Sequence, residues 1–205
     1  MTSTTTTIEY FYDYGSPFTY LLDTQITAVA DALGATLRHR PMLLGGVFKA
    51  TGNSSPMLEQ CKPKATYGGA HLRRVVERYG CEFAFNPHFP INTLTLMRVA
   101  QAALDSDGFA DVHRALFRAV WVEGRNLGEP QEIAAVLTEA GADAEALIAR
   151  AADPEVKGAL RATTEEAVER GVFGAPTLLL GDEMFFGNDH VQYLVDALDA
   201  AQAGA

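Results

Sequence analysis

Residues 8 to 33 contain the change of period that most limits what this chain can fold into. Ile8, Tyr10 and Tyr12 alternate with their neighbours as in a strand, and Leu21, Leu22, Ile26, Val29, Ala30 and Leu33 then recur at helical spacing. Between the two patterns stand Gly15, Ser16 and Pro17. Glycine suits the turn, a serine N-cap accepts a hydrogen bond from a free backbone N–H, and proline at the first helical position forfeits no bond. The stretch predicts a strand over 8–12 and a helix over 17–33, stopped near Gly34. Ser16 then lies at the positive end of a helix dipole and at the carboxyl end of a strand, where α/β folds place their chemistry. It reads two ways here: as a plain helix cap, or as part of a site.

A second strand is expected over 36–42. The segment 43–63 is rich in Gly, Pro, Ser and Asn and is expected to be irregular. From Lys64 the period turns helical, with Leu72, Val75, Val76 and Tyr79 on one face and a stop at Gly80. Pro87 and Pro90 mark an extended entry, with Asn92 or Thr93 capping a helix through Leu104. Further helices are expected over 109–122, 130–140, 144–150 and 153–170, the last opened by Asp153-Pro154. Thr177 to Leu180, the turn Gly181-Asp182 and Met184 to Phe186 spell a hairpin. Val191, Leu194, Val195 and Leu198 make a closing helix, and the tail from Ala200 to Ala205 is expected to fray. The order is β-α-β, about a hundred mainly helical residues, then α-β-β-α. This predicts an α/β fold with a thioredoxin-like core over 8–42 and 153–200. A large all-helical insertion over 43–152 interrupts it, a disordered leader of 1–7 precedes it, and the whole forms one integrated unit.

Charge and cysteine usage exclude several classes of function. The 205 residues carry a formal net charge of -10, which argues against a nucleic-acid or anionic-membrane partner. The charge is uneven: Arg38, Arg40, Lys49, Lys62, Lys64, Arg73 and Arg74 face only Glu59 between residues 38 and 76. That stretch is either an anion site or a solvated face. Cys61 and Cys81 form no CxxC and show no metal-ligand spacing, so neither a disulfide framework nor a metal is expected. The Thr-rich start has neither the basic nor the apolar region of a signal peptide, and no apolar run reaches membrane-span length. A cytoplasmic protein is expected.

Five motifs, each at an element boundary, resemble the 2-hydroxychromene-2-carboxylate isomerase family, a DsbA-like branch that includes kappa-class glutathione transferases. They are Asp13-Tyr14-Gly15-Ser16-Pro17-Phe18, Phe48-Lys49-Ala50-Thr51-Gly52-Asn53, and Asn86-Pro87-His88-Phe89-Pro90-Ile91-Asn92-Thr93-Leu94 with Met97-Arg98. The last two are Gly171-Val172-Phe173-Gly174-Ala175-Pro176-Thr177 and Phe185-Phe186-Gly187-Asn188-Asp189. The resemblance runs from about Ile8 to Leu198. Ser16 and Thr19 stand where relatives of the wider superfamily carry a redox cysteine pair. Disulfide exchange needs an attacking thiolate on the protein, so that chemistry is removed. By resemblance, bound glutathione supplies the sulfur, and Ser16 donates a hydrogen bond to its thiolate at the helix N-terminus.

The resemblance also implies a site. Asn53 binds the glutathione peptide, Ala175 pairs with it ahead of a cis Pro176, and Asn188 and Asp189 hold its γ-glutamyl end. Lys64 faces the ligand's carboxylate, while Lys49 and Phe18 face the substrate. His71 and His190 depart from the family pattern, which has an acid and an arginine there. Trp121 and most of the phenylalanines (Phe11, Phe18, Phe48, Phe83, Phe85, Phe89 and Phe186) are expected in the core, with one or two lining an aromatic pocket.

The implied activity is glutathione-dependent isomerisation of 2-hydroxychromene-2-carboxylate and trans-o-hydroxybenzylidenepyruvate-type aromatic acids. It proceeds by thiolate addition to the conjugated bond, rotation and elimination. A kappa-class-like transferase that releases a conjugate and a non-catalytic glutathione-binding module are the alternatives. A homodimer is expected.

Overall fold

The period-two stretch becomes the central strand of the sheet. The computed structural model describes residues 6–203. Strand β1 (Thr7–Tyr12) pairs in parallel with β2 (Thr36–Pro41) on one side and antiparallel with β3 (Thr177–Leu180) on the other. Strand β4 (Glu183–Phe186) pairs antiparallel with β3, giving the order β2-β1-β3-β4. Pro41, which cannot donate to a ladder, lies at the end of the edge strand β2, where no bond is lost.

Nine helices occur among the described residues: α1 (Pro17–Ala32), α2 (Leu44–Thr51), α3 (Lys62–Tyr79), α4 (Leu94–Ala103), α5 (Phe109–Trp121), α6 (Pro130–Glu139), α7 (Ala144–Ala151), α8 (Pro154–Glu169) and α9 (Val191–Ala203). Alternation along the strands gives the sheet two apolar faces. Ile8, Tyr10, Tyr12 and Leu178 join a large cluster with Leu21 and Ile26 of α1, Met97 of α4, Phe117 and Trp121 of α5, and Leu194 of α9. Phe11 and Leu179 point the other way, onto Val47 of α2 and Ala167 of α8. The result is a thioredoxin-like α/β core with the helical block packed into the same apolar cluster.

Several sequence expectations need correction. The segment after residue 43 is not wholly irregular: α2 forms there, followed by one 3-10 turn at Pro56–Leu58. The segment from Leu44 to Thr51 is helical because Val47 is buried against the second face of the sheet, and this packing outweighs two glycines. Thr7 of the expected leader is in β1, and Met1 to Thr5 lie outside the described residues. The last helix continues through Ala203 rather than fraying from Ala200, and Gly204 and Ala205 lie outside the described residues. Thr93 occupies the N-cap of α4, but its hydroxyl does not cap. The capping oxygen is Asn92 Oδ1, which accepts from the Leu94 N–H at 3.0 Å. Asp153 likewise makes no side-chain cap to α8.

Candidate active site

Helix α1 begins as its sequence requires. Ser16 is extended (φ -103, ψ 118), and its Oγ accepts from the Thr19 N–H at 3.2 Å. Pro17 has no N–H, and the Tyr20 N–H reaches the Ser16 carbonyl at 3.2 Å. In this first turn the Phe18 N–H is the donor that bonds to no group among the described residues. The Ser16 hydroxyl proton is already used: Oγ donates to the Ala175 carbonyl at 3.0 Å. That bond ties the helix N-terminus to the loop before β3, where the Ala175–Pro176 peptide is cis, as the resemblance implies.

Close approach shapes this loop. A Cβ on Gly174 would stand 2.8 Å from Phe186 Cε2, so only glycine lets the β4 ring lie against the loop. Phe173 packs on the same ring at 4.4 Å between centroids. Asn53, just beyond α2, donates from Nδ2 to the Phe173 carbonyl at 2.8 Å and accepts from the Ser54 N–H through Oδ1 at 2.8 Å. The Asn53 side chain therefore clamps the end of α2 to the Ala175 loop.

Beneath the helix start, Asp13 is buried. Its Oδ1 accepts from the Gly15 N–H at 2.8 Å; its Oδ2 accepts from the Leu44 N–H at 2.8 Å and the Thr93 hydroxyl at 3.1 Å. Burial pushes its pKa up against these three donors. One carboxylate thus joins the β1–α1 turn, α2 and α4. The space beside it is tight at Gly15, where a Cβ would lie 3.0 Å from Thr93 Cγ2 and the threonine would have to give by a few tenths of an ångström. The motif residue Asp13 had no role assigned from sequence, because both of its distant partners lie on other elements.

These elements enclose a cleft of about 240 Å³. Ser16, Phe18, Asn53, Ala175, Pro176, Asn188 and Asp189 all line it, so seven of the residues expected in the site come together. Phe48, Phe89, Phe186 and His71 complete much of the wall, with the His71 ring 5.7 Å from that of Phe18. No cysteine, lysine or arginine is among the lining residues.

Lys49 and Lys64 are not brought into the cleft. Lys49 is exposed in the last turn of α2. Lys64 has a side chain 74% exposed and pairs with Glu59, which raises the lysine pKa and lowers that of its partner. The rest of the basic stretch is dispersed as well. Arg40 is buried between Glu9 and Glu166. Arg38 lies 3.8 Å from Glu9, and Arg74 sits over the Tyr67 ring at 5.9 Å. The charge asymmetry therefore marks ion pairs and solvated faces, not an anion site in the cleft. His190 is exposed and outside the lining.

Of the motif at 86–90, Phe89 lines the cleft and Asn86 acts from a distance. Buried Asn86 donates from Nδ2 to the carbonyls of Val120 and Arg125, each at 2.9 Å, and accepts from the His88 N–H at 2.8 Å. The Phe89–Pro90 peptide is also cis, where sequence reading saw only an extended entry. Trp121 is buried as expected, and its Nε1–H donates to the Tyr14 carbonyl at 2.7 Å.

Comparison with known proteins agrees with this architecture. A 2-hydroxychromene-2-carboxylate isomerase from Sphingobium xenophagum is 28% identical over 190 residues, covering 93% of this chain and 96% of the relative. Human glutathione S-transferase kappa 1 is 28% identical over 211 residues, covering 94% and 90%. A solved structure of a 2-hydroxychromene-2-carboxylate isomerase superposes with a TM-score of 0.84 at 29% identity, covering 95% of each chain. The model of the DSBA-like thioredoxin domain matches residues 7–199. On that match, which spans the whole sheet, the first eight helices and most of α9, the chain belongs to the DSBA-like thioredoxin domain family.

Proposed function

We propose that this chain is a glutathione-dependent isomerase of 2-hydroxychromene-2-carboxylate-type aromatic acids. The observation that carries this reading is the start of α1: a serine hydroxyl and a free Phe18 N–H stand where no protein thiol is present, beside a cis-proline loop. The donors fit an extended peptide that carries its own thiol. The Ala175 N–H makes no hydrogen bond among the described residues and is free to pair with a peptide backbone. Asp189 suits an ammonium group, and Asn53 and Asn188 suit amides and carboxylates. When bound, glutathione would supply a thiolate that adds reversibly to a conjugated double bond and frees it to rotate.

The protein's part is to hold and polarise. The Ser16 hydroxyl would turn from the Ala175 carbonyl toward the anion, exchanging a neutral hydrogen bond for a charge-assisted one. The Phe18 N–H and the α1 dipole favour the same negative charge. Phe18, Phe48, Phe89 and Phe186 offer apolar walls to an aromatic ring. Among the lining residues only His71 can carry a positive charge, and it is our candidate for the substrate carboxylate. Lys49 and Lys64 have no part in this site. A homodimer belongs to the same proposal, and sedimentation of the purified chain checks it.

The test is incubation with glutathione and trans-o-hydroxybenzylidenepyruvate, followed by separation and mass measurement of the products. Interconversion of the two isomers that requires glutathione but leaves its total unchanged is expected. Accumulation of a conjugate with loss of glutathione would make the chain a transferase. Binding without turnover would make it a binding module.

A further inference from the structure

We propose that Asp23, His39 and His113 form a binding site for a divalent cation that prefers nitrogen and oxygen ligands, of the zinc class. The three come from different elements: Asp23 from α1, His39 from β2 and His113 from α5. One ligand atom from each lies within 4.8 Å of the other two. They line a second cavity, of about 470 Å³, that shares no lining residue with the first.

Two imidazoles and one carboxylate are the donor set of an open site, leaving room for water as a further ligand. The surroundings hold these groups as outer partners hold metal ligands. His113 Nε2 lies 2.8 Å from Asp23 Oδ1, and its other nitrogen, Nδ1, lies 2.8 Å from the Tyr14 hydroxyl. A tyrosine hydroxyl both donates and accepts, so it can hold Nδ1 when Nε2 gives its lone pair to a cation. Adjacent ligands of a tetrahedral zinc ion stand about 3.3 Å apart, so Asp23 and His113 would part slightly to admit one.

His39 is the less expected member. Its ring meets His113 at 5.0 Å and Phe109 at 4.9 Å, and it makes no hydrogen bond among the described residues. A half-buried imidazole in an aromatic cage, beside a carboxylate but bonded to nothing, has no use as a structural polar group. A phenylalanine would fill the same space. A neutral imidazole keeps one ring nitrogen with a lone pair to give to a cation. The arginines at the cavity, Arg114 and Arg118, are already engaged with Asp111 and with Glu82 and Glu123. The sequence shows no ligand spacing because the fold alone brings these three positions together.

The test uses the full chain, stripped with a chelator and titrated with zinc chloride by calorimetry, with cobalt chloride as the visible probe. One zinc per chain is expected, with a rise in melting temperature and cobalt absorption bands of a four- or five-coordinate site. His39→Phe leaves the Tyr14–His113–Asp23 chain untouched and should lower zinc affinity by about a hundredfold or more. Asp23→Asn, which can still accept from His113, is the second variant should the first fail to fold, and should lose affinity similarly. The double variant Cys61→Ser, Cys81→Ser should bind zinc as the parent does. No stoichiometric zinc binding, binding unchanged by His39→Phe and Asp23→Asn, or binding lost in the cysteine variant would each overturn the proposal.

Discussion

A serine hydroxyl has one proton to give, and that of Ser16 goes to the Ala175 carbonyl while its lone pair caps Thr19. Ser16→Ala therefore removes three things: a cap worth about 0.5–2 kcal/mol, the tie to the cis-proline loop, and the proposed donor to the thiolate. Glutathione should still bind. The pH profile of kcat/KM should move its acid limb upward, each unit costing about tenfold in rate at neutral pH. A folded variant with an unmoved profile and full activity would leave Ser16 a cap alone. Ser16 was legible in the sequence because it sits where a helix begins and backbone geometry settles its position, whereas Ala175, Pro176, Asn188 and Asp189 were placed only by the family resemblance. Lys64 was not legible. A long solvated side chain takes the nearest carboxylate, here Glu59, and no periodicity shows which way it turns. Asp13 was legible as a letter in a motif, but not as the acceptor joining Leu44 and Thr93.

At the level of elements, the segment 82–90 closes the C-terminus of α5. The last turn of any helix leaves carbonyls without intrahelical partners. Here the Ala84 N–H donates to the Trp121 carbonyl at 2.7 Å, and Asn86 Nδ2 serves Val120 and Arg125. Asn86→Ala would strand buried carbonyls and should cost about 2 kcal/mol or more, read as a lower urea midpoint with unchanged slope. An unchanged midpoint would mean that water replaces the amide. The helices with strong apolar period and a proline start, α1, α6 and α8, were readable from sequence. Helix α2 was not, because its Gly45-Gly46 pair reads as a breaker. A Cβ on Gly46 would come within 3.2 Å of Thr164 Cγ2, so the residue that lowers helix propensity also gives room for the approach of α8.

Across the whole molecule, Glu9 in the central strand gathers Arg40 from β2 and Arg170 from the end of α8, and Arg40 also reaches Glu166. Burial raises the Glu9 pKa, but the two arginines outweigh it and hold the carboxyl below its usual value. The stability this confers is full above the usual carboxylate range and is lost as pH falls through the lowered value. Glu9→Gln should therefore cost about 1–3 kcal/mol at pH 7. In urea titrations at falling pH the variant and parent should converge in acid; a constant gap would exclude the linkage.

The same central strand sets a timetable. Strand β1 is made before its partner β2, and its other edge belongs to β3, which begins only at Thr177. At about 5–20 residues per second, a ribosome takes roughly 7 to 27 seconds to pass from residue 41 to 177. Throughout that interval the β3-facing edge of Ile8, Glu9, Tyr10 and Phe11 is an unpaired template for any other strand nearby. A chain released before Thr177 would therefore expose a strand edge that the whole fold covers.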